Sequence, residues 1–218
     1  MTDQPTKVVV RSGRGEGIRL LIHPRTEKFY WTGLHETWVQ ESIAASLMPG
    51  MVFWDAGAHV GFMTLIGSRL VGPFGAVVAF EPSPENRERL IRNVGLNNAA
   101  NVRVEDCALD ASSGTALLYS HEASLMRTLD PGRGRGVGEP VICRTLDEVA
   151  LGLPLPDLIK IDVEGRELEV LRGGSELLRR HEPRLLIEFS NEELVREAME
   201  FLPQYTFTYI EKNHWFLT

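Results

Sequence analysis

Met51-Val52-Phe53-Trp54-Asp55-Ala56-Gly57-Ala58-His59-Val60-Gly61 reads as a buried strand, an acid at its carboxyl end and a glycine-bearing turn into a helix. An apolar run without polar alternation suits a strand covered on both faces. The helix runs from His59 to Val71, and Gly72-Pro73-Phe74-Gly75 ends it. The same rhythm follows downstream. Ala76-Val77-Val78-Ala79-Phe80 is a second buried strand ending in Glu81-Pro82, and Ser83 and Pro84 supply an N-cap and first helical residue for a helix to Asn97. Val102-Arg103-Val104 is a third strand, ending at Glu105-Asp106. Strands of this kind, separated by helices, predict a parallel sheet with helices on both sides.

Beyond residue 140 the alternation resumes. Leu158–Ile161 and Arg184–Phe189 read as strands, with helices over Arg166–Leu171, Ser175–His181 and Asn191–Phe201. Tyr205–Ile210 and His214–Leu217 suit a terminal hairpin, which adds one antiparallel strand to the sheet. Thr115–Tyr119 and Val141–Arg144 read as short extended pieces. Between them, Pro131-Gly132-Arg133-Gly134-Arg135-Gly136-Val137-Gly138 reads as a mobile loop. Upstream, residues 1–35 form a β-rich extension, with extended segments at Val8–Val10, Ile18–Ile22 and Phe29–Trp31. Residues 36–218 form the main domain, which opens with a helix over Glu36–Leu47.

A chain of 218 residues suits one well-buried α/β domain. Lys and Arg number 23 against 30 Asp and Glu, a net charge of −7, which argues against a polyanion-binding surface, so no nucleic-acid partner is expected. The two cysteines, Cys107 and Cys143, lack the spacing of a zinc site or a disulfide framework. No segment has the roughly 18 consecutive apolar residues of a membrane-spanning helix. The polar start Met1-Thr2-Asp3-Gln4-Pro5 lacks a signal-peptide core, so a cytoplasmic protein is expected.

Ligands of open α/β sheets bind beyond the carboxyl ends of the strands, where the connections diverge. Asp55, Gly57, Ala58, His59, Gly61 and Phe62 occupy one such place. Gly57 and Gly61 would admit a ligand close to the backbone, and the following helix would aim free N–H groups at it. The Gly-x-x-x-Gly spacing lacks the Gly-x-Gly-x-x-Gly of a pyrophosphate-binding turn. Glu81 lies about 20 residues on, where an acid can take both hydroxyls of a ribose.

With these motifs, Ile159-Lys160-Ile161-Asp162-Val163-Glu164-Gly165 completes a pattern that resembles the FkbM-type methyltransferases, a family dependent on S-adenosylmethionine. Asp106-Cys107-Ala108-Leu109, Thr145-Leu146-Asp147 and Pro183-Arg184-Leu185-Leu186-Ile187-Glu188 carry it further, so that it covers residues 33 to 190. The resemblance implies a Rossmann-like class I methyltransferase sandwich, with a mostly parallel seven-stranded sheet and one antiparallel strand. It implies that Gly57, Ala58 and Gly61 line the methionine end of the cofactor, that Glu81 and Pro82 lie at the ribose, and that Asp106 and Cys107 lie by the adenine. Glu36 resembles the family's glutamate ahead of the first helix, which reaches toward the cofactor. His59 stands where the family usually has asparagine.

Methyl transfer to a hydroxyl needs an in-line acceptor and a group to take its proton. Asp162, Glu164 and Glu188, at two strand ends, are the candidate catalytic acids, with Asp162 and Glu164 on one side of an extended segment. Asp162, Glu188 and Asn191 would also suit Mg²⁺, without requiring it. Lys160 reads as a solvated or structural cation. Arg127, Arg133 and Arg135 suggest either a lid over an acidic or sugar-like acceptor or a solvated loop. The function expected is O-methylation of a small hydroxylated molecule such as a sugar or polyketide. The alternatives are a non-catalytic nucleotide-binding module and an NAD-dependent oxidoreductase.

Overall fold

A computed structural model describes residues 4–121, 127–132 and 134–218, apart from the side chains of His121, Arg127, Gly134 and Arg135. Its centre is a seven-stranded sheet in the order β12 (Phe207–Glu211), β13 (His214–Leu217), β11 (Arg184–Glu188), β10 (Leu158–Ile161), β3 (Val52–Ala56), β4 (Ala76–Phe80), β5 (Val102–Glu105). Neighbours from β5 through to β11 pair in parallel, and β13 is antiparallel to both β11 and β12. This is the expected mixed sheet. The chain builds outward from β3 through β4 to β5, then returns to place β10 on the other side of β3. The divergence of connections falls between β3 and β10, above Asp55 and Lys160.

Strand pleating sorts the side chains into two cores. Trp54, Ala56, Val78, Phe80, Ile159 and Ile161 face one cluster, which Leu168, Leu171 and Leu178 complete from the helices α6 (Glu167–Arg172) and α7 (Ser175–His181). Phe53, Val77, Leu158 and Leu186 face the other. There they meet Val39 and Ile43 of α2 (Thr37–Ser46), and Leu65 and Ile66 of α3 (Phe62–Val71).

Upstream, β1 (Thr6–Val9) and β2 (Arg19–Ile22) make a separate antiparallel pair. Leu20 and Ile22 are buried in the second core. Asparagine side chains of α4 (Pro84–Leu96) and its C-cap bind the outer edge of β2. Leu21 N–H donates to Asn93 Oδ1 at 2.7 Å and Arg19 N–H to Asn97 Oδ1 at 3.0 Å. Side-chain oxygens thereby stand in for a further strand.

Phe29–Trp31 is helical, within α1 (Lys28–Thr32), and not extended as the apolar run suggested. Gly33 caps it in the left-handed conformation, and buried Glu27 ahead of it is paired with Arg89 at 2.8 Å. The middle of the chain is more regular than expected. β7 (Gly114–His121) pairs with β9 (Gly134–Arg144) in a second, four-stranded sheet, together with β6 (Cys107–Leu109) and β8 (Arg127–Thr128). The glycine-arginine stretch is therefore strand from Gly134 onward, because a long antiparallel partner satisfies its backbone. Arg133 lies outside the described residues, as do the side chains of Arg127 and Arg135. Among the described residues, no helix is long and apolar enough to cross a membrane.

Candidate active site

The turn after β3 holds three residues at positive φ: Gly57 at 81°, His59 at 50° and Gly61 at 87°. The two glycines answer to protein packing. A Cβ on Gly57 would lie 1.8 Å from the carbonyl oxygen of Asp162, and one on Gly61 would lie 2.4 Å from Leu90 Cδ1. A side chain at either would thus meet the chain itself, while the backbone of Gly57 still lines the cavity described below. Helix α3 begins at Phe62 with Gly61 as its cap, three residues later than the sequence suggested.

Glu81 braces this turn to the next one. Its Oε2 accepts from His59 N–H at 2.8 Å and its Oε1 from Ser83 N–H at 2.9 Å. Burial pushes its carboxyl up to about 7, against the pull of those two N–H donors. The His59 ring turns away from Glu81, and its Nδ1 lies 3.0 Å from the Tyr30 hydroxyl. Burial, with Arg89 adding to it, brings this histidine down to about 3, so the ring is neutral.

Register places the charged groups in a row on the α2/α3 side of the sheet. Lys160 pairs with Asp55 across β10 and β3, and Asp162 follows two residues on, toward the same side. Lys160 Nζ lies 3.4 Å from Asp55 Oδ1 and 3.3 Å from Asp162 Oδ2. Burial pulls the ammonium down, but Asp162, Asp55 and Glu36 outweigh it and raise the pKa, so Lys160 stays charged. It is a buried cation, 4% exposed, and not a solvated one. Asp55 is fully buried; its Oδ2 accepts from Thr64 Oγ1 at 2.6 Å, while Oδ1 has no hydrogen-bond partner.

The row continues through Glu188 to His214, which is its register partner on β13. Burial raises Asp162, but Lys160 and a hydrogen bond with Glu188 hold it below the usual carboxylate range. Glu188 moves the other way, up to about 9, through burial, then Asp162 and Glu36. The two carboxyls titrate together, with Glu188 the one that holds a proton more readily. Glu164 departs from the extended path expected after Asp162. Its φ is 58°, and its carbonyl accepts from Thr128 Oγ1 at 2.8 Å, tying the segment to the second sheet.

A cavity of about 390 Å³ lies over these strand ends. Of the residues anticipated from sequence, Glu36, Asp55, Gly57, Ala58, His59, Phe62, Glu81, Pro82, Cys107, Asp162, Glu164 and Glu188 line it. Gly61 and Asp106 do not. Gly61 is turned into the α3–α4 packing, and Asp106 is exposed in the single-residue link between β5 and β6. Burial keeps the Cys107 thiol neutral, pushed up to about 12.

One wall was not foreseen. Thr26, Phe29, Tyr30 and His35 close the cavity from the upstream segment, with Tyr30 and Phe62 centroids 5.3 Å apart and Tyr30 and His35 4.7 Å apart. Arg166 also lines it, held by both oxygens of Asp110 at 2.7 and 2.9 Å. The oxygen set suggested for Mg²⁺ does not assemble. Asn191 is exposed and its Oδ1 accepts from Leu194 N–H at 3.0 Å as the cap of α8 (Glu192–Phe201).

The sequence profile of the methyltransferase FkbM domain matches residues 55–209, from the acid near the end of β3 into the terminal hairpin. The chain belongs to the FkbM methyltransferase family. It is 32% identical to the methyltransferase sdnD of Sordaria araneosa, over 56% of this chain and 60% of that protein. It is 27% identical to the hexuronic acid methyltransferase AglP of Haloferax volcanii, over 58% of this chain and 51% of that one. The chain thus spans between half and three fifths of these relatives. Among solved structures it resembles the methyltransferase FkbM of Methylobacillus flagellatus, with a TM-score of 0.58, 18% identity, and coverage of 84% of this chain and 51% of that one. It also resembles TYW2 of Pyrococcus horikoshii, solved in complex with MeSAdo, with a TM-score of 0.54, 15% identity, and coverage of 99% and 70%. These likenesses establish the class I methyltransferase-like fold.

Proposed function

We propose that this member of the FkbM family transfers a methyl group from S-adenosylmethionine to a hydroxyl oxygen of a small metabolite, with a sugar as the favoured acceptor class. The observation that carries the reading is the row Asp55–Lys160–Asp162–Glu188 at the carboxyl edge of the sheet, open to the same cavity as Glu81. The residues present suit the cofactor. The cavity is in the size range of small-molecule sites. Glu81 and Asp162 line it, two acids at strand ends suited to the ribose hydroxyls and the ammonium of the cofactor. The relative that acts on hexuronic acid supports a sugar-like acceptor.

In this reading Glu81 and Pro82 lie at the ribose, Cys107 flanks the adenine, and Ala58, Phe62 and Glu36 enclose the methionine end. When bound, S-adenosylmethionine supplies an electrophilic methyl carbon on a sulfonium and would give up that methyl to the acceptor oxygen, with sulfur keeping the bonding pair. Asp162 and Glu188, with Glu164 beside them, orient the acceptor hydroxyl. The hydroxyl proton passes to the ionised member of the Asp162–Glu188 pair. The apolar wall of Phe29, Tyr30 and Phe62 keeps water from competing.

The test is calorimetry with S-adenosylhomocysteine, S-adenosylmethionine and NAD, followed by a screen of hydroxylated acceptors with labelled methyl donor. Both sulfur ligands should bind, and Glu81→Gln should weaken them about tenfold or more, equivalent to about 1.4 kcal/mol. Binding of NAD in place of either sulfur ligand would reject the reading.

A further inference from the structure

Asp55 and Asp162 share Lys160, but among the described residues no lysine or arginine nitrogen reaches within 4.0 Å of Glu36 or Glu188. These two carboxylates converge from different elements. Glu36 caps α2 from a left-handed backbone at φ 43°, a conformation costly for a residue with a side chain, and Glu188 ends β11. His214 meets them from the first residue of β13, where register sets it opposite Glu188. One potential ligand atom from each of Glu36, Glu188 and His214 lies within 4.8 Å of the other two.

An acid pair alone would be no more than a charged patch. The histidine makes the difference. His214 is 3% exposed, and its Nε2 is buried without a hydrogen-bond partner. Its Nδ1 accepts from the Trp38 indole N–H at 3.2 Å, which puts the proton of the neutral ring on Nε2, and the backbone carbonyl of Glu211 also contacts the ring. An ion at Nε2 requires the other tautomer, with the ring proton moved to Nδ1 and the hydrogen bond from Trp38 released.

We infer that Glu36, Glu188 and His214 form a divalent-cation site on the wall of the cavity beside Asp162. Donor atoms around such an ion sit roughly 3–4 Å apart, given bonds of about 2.0–2.2 Å, so side-chain torsions alone bring this group into range. Two carboxylates with one imidazole suit a borderline ion, Mn²⁺ or Zn²⁺, better than Mg²⁺. Asp162, paired with Lys160, stays outside the ligand set. The ion would lie where Glu188 faces the acceptor and would draw an acceptor oxygen toward it. That role rests on the methyl-transfer reading; the binding of the ion does not.

The experiment is titration of chelator-treated full-length protein with Mn²⁺ and with Zn²⁺, by calorimetry and, for Mn²⁺, by electron paramagnetic resonance. Both are run with and without S-adenosylhomocysteine. One saturable site is expected, with a nitrogen coupling in the Mn²⁺ spectrum. Glu36→Gln and Glu188→Gln, each close in shape to the original, should weaken binding at least tenfold, and His214→Gln should remove the nitrogen coupling. Thermal melts check that each variant is folded. Absence of saturable binding up to about 1 mM of either ion would overturn the inference. So would affinity unchanged in both glutamine variants, or complete displacement of the ion by S-adenosylhomocysteine, which would assign the cluster to the cofactor. Failure of the methyltransferase reading shows separately, as absence of S-adenosylhomocysteine binding.

Discussion

Replacing Lys160 with methionine tests the charged row at its most buried point. The ammonium is 4% exposed and lies 3.4 Å from an Asp55 that is fully buried. Methionine matches the volume closely, so the change removes charge while leaving little cavity. Removing one partner of a buried pair costs about 3–5 kcal/mol, because the other charge is left uncompensated. For a chain of this size that corresponds to a fall in Tm of about 6–20 °C. Asp162 sits at the cavity and can recruit water, whereas Asp55 keeps only the Thr64 hydroxyl. The loss should therefore trace to Asp55. Urea unfolding of Lys160→Met, Lys160→Met with Asp55→Asn, and Lys160→Met with Asp162→Asn separates the two carboxylates by a double-mutant comparison. The Asp55→Asn combination should recover about 2 kcal/mol or more, and the other much less. A single-variant loss below about 1 kcal/mol, or equal rescue by the two asparagines, would refute the reasoning.

Two further outcomes concern the turn and its supports. Glu81 has its folded-state pKa raised from 4.5 to about 7, so between those values the folded protein binds more protons than the unfolded chain. Its contribution to stability is complete below pH 4.5 and is lost as pH rises through 7. Thermal melts without ligand should show a weaker decline over that window in Glu81→Gln than in the parent, and an unchanged or steeper decline would contradict the assignment. Asn93→Ala removes the acceptor for Leu21 N–H and the donor to the Val60 carbonyl, at 2.7 and 2.8 Å. With both groups left unsatisfied the loss should be about 2–5 kcal/mol by urea unfolding; a loss under 1 would place water at those groups.

Much of the architecture could be read from unbroken apolar strands and helix punctuation. Ser83-Pro84 opened α4 as expected, and the terminal hairpin placed the antiparallel strand. The second sheet escaped notice because β7 and β9 pair across an interval that local pattern does not span, and glycine-rich sequence gives a strand little periodicity. Phe29–Trp31 misled because three aromatic residues favour strands, while a left-handed glycine and a buried glutamate set the helix. At the site, the acids after each strand were legible from their position alone. The pairing of Lys160 with Asp55 was not, since it depends on register between strands about 100 residues apart. His214 was invisible for the same reason, as only its pairing opposite Glu188 brings it near the cavity.

The wall formed by Thr26, Phe29 and Tyr30 lies entirely upstream of Asp55, where the family match begins. One pocket is thus assembled from two stretches of chain, one inside the family match and one ahead of it. The later stretch carries the strand ends and their acids, while the earlier one presents a facing that rests on them through the Tyr30–His59 contact. The strand-end acids and the aromatic facing are in this way carried by different stretches of chain. A substitution at Phe29 therefore alters one side of the cavity while leaving the parallel sheet in place.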